Sequence, residues 1–183
     1  MVAFRFTAKD GTQVVFREPV PKDAPQLMRF INEFVTEERS GLLINKRVSL
    51  RDERAWLRSW LSDISKRRGV MLIVEADGKI VGNCTINLLP WKSAHVGDTG
   101  IALSREIRGI GIGEALMTRC IELARRRMRG LEMLYLKAFD YNERAHALYK
   151  KMGFVETGRV PKANKEGGEY HDDVLMVKYL QNR

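Results

Sequence analysis

The sequence predicts a single mixed α/β domain in which one sheet carries helices on both faces. Three observations lead there. Apolar residues recur at helical spacing in some segments, and form short apolar or alternating runs in others. Glycine-centred turns tie neighbouring strand-like runs into hairpins. In the second half, strand, helix, strand, helix and strand follow one another, an order that calls for a sheet with covered faces. A chain of 183 residues suits one domain with a sizeable core.

In chain order, Phe4 to Thr7 and Gln13 to Arg17 read as strands joined by the turn Lys9-Asp10-Gly11. Pro19, Pro21 and Pro25 punctuate the entry to a helix, with Asp23 as its expected cap and Ala24, Leu27, Met28, Ile31, Phe34 and Val35 along its apolar stripe. Gly41 closes that segment. Ser49-Leu50-Arg51-Asp52 resembles a capping box, and Leu57, Trp60, Leu61 and Ile64 form the stripe that follows it, ending at Gly69. Val70 to Glu75 and Ile80 to Leu89 make a second hairpin about Asp77-Gly78. Val96 to Leu103 is a strand containing Gly97 and Gly100, residues that in a strand mark a bulge or a close approach. A helix runs from about Gly111 to Met128, a strand from Met133 to Phe139, and a short helix from Asn142 to Met152. Phe154 to Gly158 begins a strand, Pro161 to Gly168 reads as a polar loop, and Tyr170 to Tyr179 is the last strand.

Composition limits the functional classes. Thirty-two Lys and Arg against 23 Asp and Glu leave +9, a balance suited to phosphate-bearing ligands, nucleic acid or anionic lipid, and equally to a solvated basic surface. The run Arg125-Arg126-Arg127-Met128-Arg129 falls at a helix C-terminus, where cations favour the dipole; no aromatic residues interleave it, so nucleic acid is not expected. Cys84 and Cys120 have neither metal-ligand spacing nor the numbers for a disulfide framework, which points to a reducing compartment and to no metal. Met1 to Phe6 is too short for a secretory core and no apolar run reaches membrane-spanning length, so a cytoplasmic protein without membrane contact is expected.

The chemistry concentrates in Arg108-Gly109-Ile110-Gly111-Ile112-Gly113, placed after a strand and opening a helix. Glycines admit a close backbone approach, and free N–H groups at a helix N-terminus bind phosphate. A dinucleotide fingerprint needs a third glycine where Glu114 stands, and a Walker A loop needs Gly-Lys-Ser/Thr, which is absent. A purely structural glycine turn is the remaining alternative. The run resembles the R/Q-x-x-G-x-G/A coenzyme A-binding motif of the GNAT superfamily of acetyltransferases, and Glu114-Ala115-Leu116-Met117 continues it in the typical way. Asn142-Glu143-Arg144-Ala145-His146-Ala147-Leu148-Tyr149 through Gly153-Phe154 is similar to that superfamily's N-x-x-A-x-x-L-Y-x-x-x-G-F signature, one helix and one strand further on. With Gly158 and the late Tyr170-His171-Asp172-Asp173 and Met176, the resemblance covers about residues 13–179 of a single domain, 1–183.

The resemblance implies a mostly antiparallel twisted sheet, splayed beside Gly100 to Leu103, with acetyl-CoA in the gap. Backbone groups of Ile101, Ala102 and Leu103 would bond the pantetheine like an added strand. Arg108 and the amides of Gly109, Ile110, Gly111, Ile112, Gly113 and Glu114 would hold the pyrophosphate, and Asn142 would meet the pantetheine arm. Tyr149 would sit near the thioester sulfur as general acid; from helical spacing alone it reads as a core tyrosine, and Asn142 reads equally as a helix cap. For the base, relatives carry a carboxylate near the position of Asp98, and Glu33, Glu37 and Glu38 fall where relatives line the acceptor pocket. Asp98 and Glu37 are the candidates, each also readable as a solvated surface charge. His95 is three residues from Asp98, so the two face opposite sides of a strand. The implied reaction is acetyl transfer to a primary amine (a protein N-terminus, a polyamine, an amino acid or a small amine). The alternative is a non-catalytic acyl-CoA sensor or interaction module. A homodimer is common in the superfamily.

Overall fold

In the computed structural model, residues 2–37 and 39–180 are described. Eight strands form one sheet in the order β1-β2-β3-β4-β5-β6-β8-β7 among these residues. β1 (Ala3–Thr7) and β2 (Gln13–Arg17) form the first hairpin; α1 (Ala24–Val35) and α2 (Leu50–Ser65) follow. β3 (Gly69–Ala76), β4 (Lys79–Leu88) and β5 (Val96–Leu103) are antiparallel neighbours. α3 (Ile112–Arg127) then crosses to β6 (Met133–Phe139), and α4 (Glu143–Lys151) leads into the hairpin β7 (Val155–Glu166) and β8 (Glu169–Tyr179). Among the described residues only β5 and β6 pair in parallel, as a crossover helix between neighbouring strands requires.

The two faces bury different clusters. Val70, Leu72, Val74, Cys84, Ile86, Leu134, Leu136, Val174 and Met176 pack under α3 and α4 with Leu116, Met117, Cys120 and Tyr149. The alternate residues Met71, Ile73 and Ile80 meet Ala24, Leu27 and Leu57 of α1 and α2. Period-two alternation through a doubly covered strand explains why β3 is buried on both sides. Both cysteines are buried free thiols. No described helix is long and apolar enough to cross a membrane.

Two local expectations change. Asp23 makes no side-chain cap to α1; its carboxylate instead takes Arg17 Nη1 at 2.8 Å and Nη2 at 2.9 Å and the Val20 N–H at 2.8 Å. A carboxylate 3% exposed demands a paired cation, and that need outranks an exposed cap. Pro161 to Gly168 is not a loop: β7 runs on to Glu166, and only Gly167 and Gly168, both at positive φ, make the turn. The polar composition reflects an edge strand whose residues are nearly all exposed, and the irregular pairing between Val160 and Asn164 accommodates Pro161. Ser49 does cap α2, receiving the Asp52 N–H at 3.2 Å.

Candidate active site

β5 and β6 are paired only at Val96↔Met133, Gly97↔Leu134 and Asp98↔Tyr135. Beyond Asp98 the strands part: β5 stays on β4 as far as Leu103, and β6 stays on β8 as far as Phe139. The sheet therefore opens into a V. In an antiparallel ladder, alternate residues direct their backbone groups to the neighbour. Leu89 N–H bonds Val96 O and Ser104 N–H bonds Val81 O, which fixes the phase of the β4–β5 ladder. By that phase Thr99, Ile101 and Leu103 turn their N–H and C=O groups into the V. Ala102 turns its own toward Asn83 of β4. The implied strand-like contacts thus reduce to Ile101 and Leu103. Ala102 serves as packing instead, its side chain meeting Phe30 and Phe34 of α1.

The glycine run closes the top of the V. Gly109 and Gly111 have φ of 81° and 94°, in the left-handed region that glycine tolerates. The first bond inside α3 is Ala115 N–H to Gly111 O at 3.2 Å, so the amides of Ile112, Gly113 and Glu114 have no acceptor within the helix. A Cβ on Gly113 would stand 3.3 Å from both Leu103 Cδ1 and Leu148 Cδ2, which shows how closely α3 passes over β5 and α4. Glu114 points outward and pairs with Lys151 at 2.6 Å.

Arg108 does not extend freely from this loop. Its Nε donates to Leu103 O at 2.7 Å, its Nη2 lies 2.7 Å from Glu37 Oε2, and its guanidinium stacks 4.8 Å from the centre of the Phe34 ring. The Glu37 contact is a close ion pair without hydrogen-bond alignment. Two residues assigned by motif to separate tasks, Arg108 to phosphate and Glu37 to proton transfer, are partners of each other. Glu33 is exposed on α1, and Glu38 lies outside the described residues.

Asn142 caps α4, its Oδ1 receiving the Ala145 N–H at 3.1 Å. A Cβ on Gly41 would come within 2.6 Å of Asn142 Nδ2, so the segment after α1 crosses the mouth of the V. Leu42 anchors that segment on Phe30 and Phe34. On its far side, Arg39 stacks 5.6 Å from the Tyr141 ring centre and pairs with Glu169 at 3.4 Å. Tyr141 in turn donates to Glu166 at 2.8 Å and packs edge-on to His171 at 4.7 Å.

The two proton-transfer candidates stand on opposite faces of the sheet. Tyr149 is 6% exposed, packs 5.9 Å from the Phe154 ring under α3, and has its hydroxyl pKa pushed up by burial and by the nearby Cys84 thiol. Cys84 pairs in register with Ile101, so Tyr149 approaches the strand that borders the gap. Asp98 occupies the other face, because a side chain on its neighbour Gly97 would run into Ile86, Leu131 and Leu134 of the main core. Surface area leaves Asp98 open to solvent, yet enough protein surrounds its carboxyl to raise the pKa by desolvation, against the opposing effects of Lys137 and the Thr99 N–H. Tyr135, its cross-strand partner, has a pKa raised by burial and then by Asp98 and Asp173, against the lowering effect of Lys137. Tyr135 and Lys137 escaped the sequence reading because Met133 to Phe139 scored as one apolar run. Their alternation with Leu134, Leu136 and Ala138 was the available signal. His95 is exposed ahead of β5. No cluster of His, Cys, Asp and Glu among the described residues has a metal-holding arrangement.

Solved structures share the fold. An acetyltransferase of the GNAT family from Streptococcus pneumoniae superposes with a TM-score of 0.82 at 27% identity, over 91% of this chain and 99% of that one. A GNAT superfamily phosphinothricin acetyltransferase from Sinorhizobium meliloti, solved with acetyl-CoA, shares the fold at a TM-score of 0.78 and 19% identity, over 96% and 89%. By sequence, an uncharacterized N-acetyltransferase of Methanocaldococcus jannaschii is 28% identical over 110 residues, 60% of this chain and 66% of its own length. Residues 30–154, more than half of the chain, match the Acetyltransferase (GNAT) family, and they run from α1 through the splayed strands and the glycine loop to Phe154. With its split sheet, its glycine-opened helix and that match together, the chain belongs to the GNAT family of acetyltransferases.

Proposed function

We propose that this chain transfers the acetyl group of acetyl-CoA to a primary amine, with Asp98 as proton acceptor and Tyr149 as proton donor. The observation that carries the reading is the unpaired inner edge of β5. Ile101 presents its strand-type N–H and C=O groups and Leu103 its N–H to the V, the Leu103 carbonyl being held by Arg108, and the glycine loop that follows carries acceptor-free amides. A thin, amide-bearing chain ending in phosphates fits both features, the first by strand addition and the second by a helix N-terminus. Acetyl-CoA has that form.

Bound acetyl-CoA supplies a thioester carbonyl for attack and a thiolate as leaving group. The protein supplies proton traffic from two sides. An amine attacks only after losing its proton, and Asp98, made more basic by desolvation, stands on the face of the sheet that carries α1 and α2. From the other face, the Tyr149 hydroxyl is protonated at neutral pH as any phenol is, and although burial raises its pKa it can donate to the thiolate that forms when the arm lies along β5. Separate faces for base and acid keep the two protons from being exchanged directly.

A thiol-release assay with amines and N-terminal peptides tests this. Acetyl-CoA turnover with at least one acceptor is expected. Tyr149→Phe should lower kcat by about 10²–10⁴ while acetyl-CoA affinity and melting temperature stay near those of the parent. Tight acetyl-CoA binding without turnover of any amine points instead to an acyl-CoA sensor. Near-parental kcat in folded Tyr149→Phe removes the tyrosine from the mechanism.

A further inference from the structure

We infer that Lys9, from the β1–β2 turn, is the side-chain cation that meets the phosphates at the glycine loop, in the place the motif offers to Arg108. The inference rests on the acetyl-CoA reading above and adds a residue outside both motifs.

Arg108 is already held by three contacts. Its guanidinium holds the Leu103 carbonyl, the Glu37 carboxylate and the Phe34 ring at once. Turning it toward a phosphate would strand Glu37, 24% exposed, without its cation. It would also break a charge-assisted bond to the strand that borders the cleft. The arginine is better described as a positioning residue that joins the loop, the end of β5 and the end of α1.

Lys9 is placed differently. Its backbone N–H donates to Ile110 O at 3.1 Å, which docks the first hairpin onto the glycine loop. Its aliphatic stem lies across Gly111, where an added Cβ would touch Lys9 Cε at 3.7 Å, Cγ at 3.8 Å and Cδ at 4.0 Å. Gly111 is the residue whose left-handed turn starts α3. Among the described residues, no carboxylate lies within ion-pair distance of the Lys9 ammonium. The residue is exposed and borders an open groove of about 470 Å³ beside α3, shared with Phe6, Gly111 and Ala115. Glu114, in the first turn of α3 and lining the same groove, is taken by Lys151. An exposed cation with a docked backbone, beside amides that lack acceptors, matches a phosphate group in both charge and position.

Calorimetry on the intact chain with three probes tests the assignment: coenzyme A, acetyl-CoA, and S-acetylpantetheine, which lacks the phosphates. Lys9→Met keeps the stem over Gly111 and removes the charge; Lys66→Met, beyond α2, controls for net charge. Lys9→Met is expected to weaken both coenzymes about three- to tenfold, the range for an exposed charge-assisted contact. It should leave S-acetylpantetheine binding and melting temperature unchanged, and Lys66→Met should leave all three unchanged. Parental coenzyme affinity in Lys9→Met overturns the assignment, as does an equal loss for S-acetylpantetheine or the same loss in Lys66→Met. A parent protein that binds no coenzyme overturns the acetyltransferase reading, and this assignment with it.

Discussion

Asp98 and Glu37 both satisfy the sequence criteria for a proton acceptor, and their surroundings pull them apart. Glu37 faces a guanidinium at 2.7 Å, so its carboxylate is held in an ion pair rather than free to meet an amine. Asp98 has its pKa raised by desolvation, which makes it a better one. A base with a raised pKa works above that value and fails as pH falls through it, so the acid limb of the pH–rate profile should belong to Asp98. Asp98→Asn is expected to lower kcat by about 10²-fold and to erase the acid limb, with acetyl-CoA affinity little changed. Glu37→Gln should keep the limb. A profile in which Glu37→Gln loses it and Asp98→Asn retains it would reverse the assignment.

At the scale of elements, the strand-to-helix turn from Leu103 to Gly113 combines two demands, and Gly109 and Gly113 divide them. Gly109 stands at positive φ with nothing within 4 Å of an added Cβ, so its role is conformational. Gly109→Ala should cost about 1–2 kcal/mol of stability through strain, read as a lower melting temperature. Gly113 is helical, and an added side chain there meets Leu103 and Leu148. Gly113→Val should weaken acetyl-CoA binding about tenfold or more by filling the approach to the amides. Calorimetry on folded Gly113→Val with parental affinity would place the phosphates elsewhere. The run Arg125 to Arg127 lies in the last turn of α3, and Arg127 pairs with Glu18, so part of the net positive charge is structural.

For the molecule as a whole, the pH dependence of stability has an identifiable contributor outside the cleft. Glu53 on α2 is 7% exposed, and burial pushes its pKa up to about 7. The unfolded chain gives up that proton near the ordinary glutamate value, while the folded chain retains it. Between those values the folded state binds more protons, so stability falls as pH rises. The stabilising contribution is complete below about pH 4 and lost once pH passes about 7, on the order of 2–3 kcal/mol. Chemical denaturation from pH 5 to 8 should show this decline, and Glu53→Gln should flatten it. An unchanged slope in Glu53→Gln would assign the dependence to other groups.

Periodicity, bounded by turn and capping residues, marked the helices and strands, because burying one face imposes a spacing that the residues must carry. The caps at Ser49 and Asn142 were legible for a similar reason: each acts within four residues of itself. The two signatures marked the glycine loop and Tyr149, since glycine and aromatic residues at fixed offsets are local features too. Contacts between distant segments followed other rules. Asp23 left its helix for Arg17, Arg108 found Glu37 seventy-odd residues earlier, and Lys9 reached Gly111 a hundred residues later. The phase of the β4–β5 ladder, which turns Ile101 and Leu103 into the gap and Ala102 away from it, depends on how β5 pairs with a strand that precedes it. Sequence by itself determined which segments form and which carry the chemistry, because those properties depend on neighbours along the chain. Which charges meet, and which backbone groups stay unpaired for a ligand, was decided only by the tertiary structure, because buried charges and strand edges take whatever partners the packed sheet brings to them.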